Sequence, residues 1–371
     1  MTTTAEPAHQ APEVDPAKLE QLVGQVIGDL GALVTAPLAL LGDRLGLFTA
    51  LAANGPLTAT ELADRLGLQE RYVREWLLAM AASGYVTYAG NASDGADPRS
   101  TARYLLSPEQ AEALTNPNSP AYVVGAFQNM TAATRVLDRL TEAFRTGAGI
   151  GWHEHHEDMF VGTERFFRPG YLTYLTSAWI PALEGMSERL TAGANVADVG
   201  CGLAASTIIM AQAYPQSSFV ALDYHEPSLQ LARQRADAAG VGDRIQFRSG
   251  MATELQGSFD LICFFDCLHD MPDPVGVLQS ARSALARDGR VMLVEPMSWD
   301  TVEAGLNPLG RVLAGASLLI CLPSGLSADP RRGLGNTSGP ARLVRLAEEA
   351  GFAGARVATS TDFNLVLELT P

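Results

Sequence analysis

Apolar residues recur at helical spacing from 18 to 51 (Leu19, Leu22, Val23, Val26, then Leu38, Leu41, Leu45 and Phe48), which predicts helix there. Thr58 follows as a candidate cap, and Glu61, three residues on, completes a capping box ahead of Leu62 and Ala63. A turn at Gly67 leads into a stretch over 70–83 with Tyr72, Val73, Trp76, Leu77 and Met80 on one face, and Gly84 should stop it. Short apolar runs at 85–88 and 104–106 predict two strands around a polar loop containing Asn91, Ser93, Asp94 and Gly95. Three helices and then a hairpin make a winged-helix unit.

Residues 120–190 are mostly of helical pattern and rich in aromatics: Trp152, Phe160, Phe166, Phe167, Tyr171, Tyr174 and Trp179. From Asn195 the rhythm changes. Strands are predicted at 196–199, 219–222, 245–247, 261–265, 291–294, 356–358 and 364–369, with helices at 206–213, 227–239, 274–286 and 342–350. That alternation predicts a doubly wound α/β domain. No internal repeat is present.

At 371 residues and 39.3 kDa the chain has room for two or three domains, and 47% hydrophobic residues supply ample core. The 41 Asp and Glu outnumber 26 Lys and Arg, for a formal charge of -15. A phosphate backbone or an anionic membrane repels such a field, so neither nucleic acid nor membrane is an expected partner. Apolar runs such as 318–322 are far shorter than the ~20 residues of a membrane span. The polar, Pro-rich stretch 1–16 reads as a disordered tail without the features of a signal peptide. Cys201, Cys263, Cys267 and Cys321, none in a metal-finger spacing, read as reduced thiols of a cytoplasmic protein.

Asp198-Val199-Gly200-Cys201-Gly202-Leu203-Ala204-Ala205 ends one predicted strand and opens a helix. Glycines there let the backbone pass close to a ligand, and the helix N-terminus offers free N–H groups. Asp223 closes the next strand, where a carboxylate can accept both hydroxyls of a ribose. Gly200-x-Gly202-x-x-Ala205 alone also fits a dinucleotide fingerprint. The preceding acid Asp198, the C-terminal place of the domain and a turn at Ser360-Thr361-Asp362, which suits an antiparallel last strand, favour S-adenosylmethionine (SAM) instead.

With these features the chain resembles the class I SAM-dependent methyltransferases, and within them the winged-helix O-methyltransferase group with its bacterial small-molecule branch. The resemblance runs from about residue 20 to the C-terminus, and its most specific piece is Cys267-Leu268-His269-Asp270-Met271-Pro272-Asp273. It implies a Rossmann-like seven-stranded α/β methyltransferase domain with an N-terminal α-helical winged-helix dimerisation domain. The expected organisation is a tail at 1–16, the dimerisation domain at 17–118, a helical linker or substrate lid at 119–190 and the SAM-binding domain at 191–371. It further implies His269 as general base, Glu295 as the group that orients it, and Asp270 beside them. A His of near-neutral pKa suits that work. The implied cofactor set is Asp198, Gly200, Gly202, Ala204, Asp223, Tyr224, Met251, Ala252, Phe265, Asp266 and Tyr171. Two positions depart from the family pattern: Leu203-Ala204 narrows the loop, and Ser249-Gly250-Met251-Ala252 lacks the acid that usually meets the adenine amine.

Plainer readings stand beside these. Asp270 can be a helix N-cap. Trp152-His153-Glu154-His155-His156-Glu157-Asp158 is the densest set of metal-competent side chains, yet no second cluster accompanies it, so no metal is expected; it is a lid, a hinge or a solvated helix start. Phe160, Phe166, Phe167, Tyr171 and Tyr174 roof the pocket or form ordinary core. The first 105 residues carry 12 acids against 7 Lys and Arg, which disfavours DNA binding by the winged helix. Phe127, Met130, Met297, Trp299, Asn307 and Leu318 are candidate pocket residues by position. The expected activity is O-methylation of a small aromatic or polyketide-like metabolite by a homodimer. Alternatives are a SAM-binding protein of this fold with a non-methylating reaction, a winged-helix regulator and, more remotely, an NAD enzyme.

Overall fold

The computed structural model of the chain describes residues 13–91 and 97–371. Most of the expected tail and the polar loop at 92–96 lie outside the described residues. Contacts divide the chain into two compact units, Met1–Ser107 and Pro108–Pro371.

In the first unit, helix Pro16–Arg44 opens on Asp15, whose side chain accepts hydrogen bonds from the backbone N–H of Ala17 and Lys18. The helical pattern over 18–51 is interrupted once. Gly46 takes φ 69°, a left-handed conformation that splits it into Pro16–Arg44 and Leu47–Asn54. The capping box forms as the spacing predicts: Glu61 N–H donates to Thr58 Oγ1 at 3.2 Å and Thr58 N–H donates to Glu61 Oε2 at 2.7 Å. Leu57–Thr58 is also a short strand, β1, pairing antiparallel with β3 (Ala102–Leu105), which pairs in turn with β2 (Thr87–Asn91). Phe48, Leu51, Leu62, Leu77 and Met80 fill the core, and Trp76 packs edge-on to Phe48 at 5.1 Å. On helix Glu70–Ala82, Arg71 pairs with Glu75 and Arg74 with Glu70, so its cations are neutralised along the helix.

Helix Pro16–Arg44 leaves Leu19, Leu22, Val23, Val26, Ile27, Leu30, Leu33 and Val34 exposed in the single chain. It and Pro308–Gly325 are long and apolar enough to cross a membrane by length and composition. This corrects the estimate from contiguous apolar runs, which misses helices where Gly, Ala and Thr separate the large side chains.

The second unit holds a seven-stranded sheet of β4 (Asn195–Val199), β5 (Ser218–Asp223), β6 (Ile245–Ser249), β7 (Phe259–Phe265), β8 (Leu285–Pro296), β9 (Gly354–Ser360) and β10 (Asn364–Thr370). Their order is β6-β5-β4-β7-β8-β10-β9. The pairs from β6 to β8 are parallel, and β10 runs antiparallel to both β8 and β9. Thr361 makes the last turn, its Oγ1 accepting from the N–H of Phe363 and Asn364. Helices cover both faces, which is why the central strands read as unbroken apolar runs. Leu261, Ile262, Cys263 and Phe264 are fully buried; each large side chain among them contributes about 1.5–3 kcal/mol.

Between Pro108 and the sheet lie helices Val124–Ala133, Leu137–Thr146 and Glu157–Gly170, then a π-helical stretch, Tyr171–Trp179. A buried polar seam joins the first and third: Gln128 Nε2 donates to Asp158 Oδ1 at 2.8 Å, and Arg165 donates to Gln128 Oε1 at 2.7 Å. In the sheet, β4 has β5 on one side and β7 on the other, so chain order reverses at its C-terminal end. Ligands of doubly wound folds bind in the crevice created there.

Candidate active site

A cavity of about 670 Å³ fills that crevice, within the second unit. Its floor is the loop after β4, where Gly200 (φ 73°) and Gly202 (φ 53°) are left-handed. A Cβ on Gly200 would stand 2.8 Å from Cys267 Sγ, so both conformation and space exclude a side chain there. Asp198 and Ala204 do not line the cavity; they shape the loop from behind. Ala204 is fully buried at φ 58° and opens helix Ala205–Ala213. Asp198 Oδ2 accepts from Ser206 Oγ at 2.7 Å and Thr207 Oγ1 at 2.6 Å, while Oδ1 is buried without a partner. Burial outweighs those two bonds and raises Asp198 to about 6.

Asp223, at the end of β5, lines the cavity. Its Oδ2 accepts from Gly202 N–H and its Oδ1 from His225 N–H, both at 2.8 Å. Burial raises its pKa against these bonds. Each oxygen keeps a lone pair, the requirement for holding a diol. Tyr224, Met251, Ala252 and Phe265 also line the cavity. The Tyr224 hydroxyl lies 3.4 Å from His153 Nδ1, and burial pushes it to about 12.

Asp266 follows β7 with φ 51°, unusual for a residue with a side chain. Its Oδ2 accepts from Tyr171 OH at 2.9 Å and its Oδ1 from Asn364 Nδ2 at 2.7 Å. Burial first, then the charge on Glu295, raises Asp266 to about 8.

His269 is 4% exposed, behind the cavity wall rather than on it. Its Nδ1 hydrogen-bonds Glu295 Oε2, presented by β8. The Cys321 side chain lies close enough to act on the ring electrostatically. Burial opposes a charge on His269, but Glu295 and Cys321 outweigh it and raise its pKa well above the ordinary value. Asp270 does line the cavity, and burial raises it to about 7. It does not cap the following helix, as one reading of the sequence allowed. Asp273 does, accepting from Gly276 N–H at 3.1 Å, because Pro274 takes the first helical position and the cap is the residue before it.

The histidine cluster disperses. His153 lines the cavity, His155 is buried with neither ring nitrogen partnered, and His156 caps helix Glu157–Gly170. Among the described residues no three His, Cys, Asp or Glu side chains stand close enough to share a metal ion. Of the aromatic set, Phe160, Phe167 and Tyr171 line the cavity, whereas Phe166 packs on Phe167 and Phe363, and Tyr174 on Trp179. Phe127, Met130, Met297, Trp299, Asn307 and Leu318 lie off the cavity; Asn307 caps helix Pro308–Ala316, and Met130 packs with Ala132, Met159, Ile320 and Cys321. Sequence reasoning missed Cys321 and Asn364 as site residues. No local signal marks either one, since each reaches its partner only through the folded sheet.

This sheet order, with a glycine loop after β4 and an acid closing β5, defines a class I methyltransferase domain. Asp223's free lone pairs beside a loop of bare backbone fit the ribose and methionine ends of SAM. Residues 190–317 match the family described as "Methyltransferase domain" and residues 32–116 the "Rv2258c-like winged HTH domain". The chain is a SAM-dependent methyltransferase with a winged-helix N-terminal domain. It is 26% identical over 334 residues to the O-demethylpuromycin-O-methyltransferase of Streptomyces alboniger, 83% of each chain. It is 25% identical over 317 residues to the mitomycin biosynthesis 6-O-methyltransferase of Streptomyces lavendulae, 80% of this chain and 86% of that one. Among solved structures, the mitomycin 7-O-methyltransferase MmcR shares the fold at TM-score 0.68 and 19% identity, over 96% of this chain and 100% of that one. Human N-acetylserotonin methyltransferase in complex with SAM does so at TM-score 0.69 and 17% identity, over 97% and 99%.

Proposed function

We propose that the protein O-methylates a small hydroxylated metabolite, aromatic or polyketide-like, with His269 as general base. The observation that carries this reading is the buried His269–Glu295 pair. Once the ring is neutral, a carboxylate on Nδ1 keeps the remaining proton there and leaves Nε2 free, the tautomer that can take a proton from an acceptor hydroxyl. Bound SAM supplies an electrophilic methyl group. The chain's share is to hold the acceptor oxygen in line, exclude water and remove its proton. Gly200, Gly202, Asp223, Tyr224, Met251, Ala252, Phe265, Asp266 and Tyr171 would hold the cofactor, with Asp198 and Ala204 supporting the loop. Asp270, on the cavity wall and next in the chain to His269, would position the acceptor.

The relatives named as an O-demethylpuromycin-O-methyltransferase and a mitomycin biosynthesis 6-O-methyltransferase support a small-molecule acceptor. The exposed apolar face of helix Pro16–Arg44 supports pairing of two N-terminal domains in a homodimer, and the paired arginines of helix Glu70–Ala82 speak against DNA. Free cysteines suit the reducing cytoplasm. The test is incubation with SAM and a panel of hydroxylated aromatics, reading methylated product and S-adenosylhomocysteine (SAH) together. Equal amounts are expected, with His269→Ala slower by about 10²–10⁴-fold. Turnover of the panel that His269→Ala leaves untouched would remove the base from the mechanism. Product formation without SAH would favour the non-methylating alternative.

A further inference from the structure

The cavity is lined by six carboxylates, Glu164, Asp223, Asp266, Asp270, Asp273 and Asp329, and by no Lys or Arg side chain. Other residues hold all of them but one. Glu164 pairs with Arg235 at 3.1 Å and Asp329 with Arg331 at 3.4 Å. Backbone N–H groups of Gly202, His225 and Gly276 hold Asp223 and Asp273, and Tyr171 and Asn364 hold Asp266. Asp270 is the exception: among the described residues no other residue donates to its carboxylate, which is bonded only to its own backbone N–H. His269 acts on its charge, but that ring is already paired with Glu295. The backbone around Asp270, by contrast, is clamped. The carbonyl of His269 accepts from the N–H of Leu334 and Gly335 at 3.0 and 2.9 Å, and that of Pro272 from Arg332 N–H at 2.8 Å. The chain is fixed on both sides of Asp270 while its side chain stays free, which preorganises a group for a ligand.

Aromatic faces gather at the same end of the cavity. Trp152 and Phe160 line it, edge to face at 5.4 Å, and pack with Cys321, whose side chain acts on His269. We propose that this end of the cavity recognises a protonated amine on the acceptor, with Asp270 as its counter-ion, so that the substrate class is a hydroxylated aromatic amine. The inference rests on the reading of the cavity as the place of O-methylation and adds the charge of the acceptor to it.

A carboxylate without a donor is costly on a largely apolar wall, and an ammonium supplies the missing donor and the missing charge together. The ring faces of Trp152 and Phe160 add their own attraction for a cation. A neutral acceptor offers Asp270 a weaker donor. An acceptor that carries a carboxylate or phosphate brings a like charge to a wall with no Lys or Arg to answer it. Asp270 follows His269 directly in the chain, so an amine held there brings a hydroxyl of the same small molecule towards the base. Held as an ammonium, the nitrogen has no lone pair with which to attack the methyl group, and transfer goes to oxygen.

The probes are three catechols that share ring and chain length: dopamine, an ammonium; propylcatechol, neutral; and dihydrocaffeate, a carboxylate. Calorimetric titration into the full chain saturated with SAH, at about pH 8, gives their affinities, and incubation with SAM gives turnover. Dopamine should bind about tenfold more tightly than propylcatechol, and dihydrocaffeate about tenfold more weakly. Asp270→Asn should bring the dopamine to propylcatechol ratio near unity and keep SAH affinity, whereas Asp329→Asn should preserve the ratio. Circular dichroism checks that both variants are folded. Equal affinity for dopamine and propylcatechol in the wild type, or no binding of any catechol, overturns the proposal and leaves the cofactor site standing. A ratio that survives in Asp270→Asn, or a loss of SAH affinity in that variant, overturns the assignment of Asp270 to the acceptor. Dopamine bound with the expected preference but forming no SAH from SAM keeps the amine site and overturns the O-methylation reading. No binding of SAH overturns the cofactor reading and this inference with it.

Discussion

Replacing Glu295 with Gln keeps the shape of the side chain and removes the charge that faces His269. Both partners are nearly sealed from solvent, 5% and 3% exposed, so little screening softens the change. Breaking a buried ion pair by altering one partner costs about 3–5 kcal/mol. Part of that cost depends on pH. His269 has its folded pKa raised above the unfolded value of about 6.5, so its contribution is fully present below that pH. It fades as pH rises through the folded value, at about 1.4 kcal/mol for each unit of the shift. Urea unfolding of wild type and Glu295→Gln at about pH 6 and about pH 10 should therefore show a larger gap at the lower pH. The catalytic profile should move with it. A base works only when neutral, so the rising limb of rate against pH reports His269, and Glu295→Gln should shift that limb to lower pH while reducing the plateau. A stability gap that is constant, or wider at high pH, would show that His269 is uncharged in the folded protein and that Glu295 does not set its charge.

Three further outcomes follow from the geometry. Gly200→Ala forces a Cβ into Cys267 Sγ at 2.8 Å and a side chain into φ 73°, and should weaken both SAM and SAH by at least tenfold in calorimetry. Asp223→Ala removes the acceptor of Gly202 N–H as well as the proposed ribose contact, and should abolish binding of either ligand while the fold persists by circular dichroism. Thr58→Ala deletes half of the capping box and should cost about 1 kcal/mol in unfolding without changing cofactor affinity.

Much of the α/β unit was legible because its signals are local. The central strands are buried on both faces and read as continuous apolar runs, Gly200 must be glycine, and Asp223 closes its strand. What depends on distant segments was not legible. Cys321 lies 52 positions from His269, and Asn364 lies 98 from Asp266; only the adjacency of β7, β8 and β10 and the return of the helix ending at Gly325 bring them in. Periodicity also overstates continuity, since the apolar spacing over 18–51 runs straight across Gly46, where one left-handed residue ends the helix. Asp270 and Asp273 compete as caps within four residues, and Pro274 already decides between them.

One physical cause runs through the site. Asp198 at about 6, Asp270 at about 7 and Asp266 at about 8 are all raised first by burial, and no lysine or arginine lines the cavity to reverse it. An enzyme that binds an anionic cofactor would place cations here. This one places Asp266 and Asp270 on the cavity wall and Asp198 behind the glycine loop, all raised towards neutral pH by burial. The base is treated differently. His269 receives its compensating charge from within the protein, through Glu295.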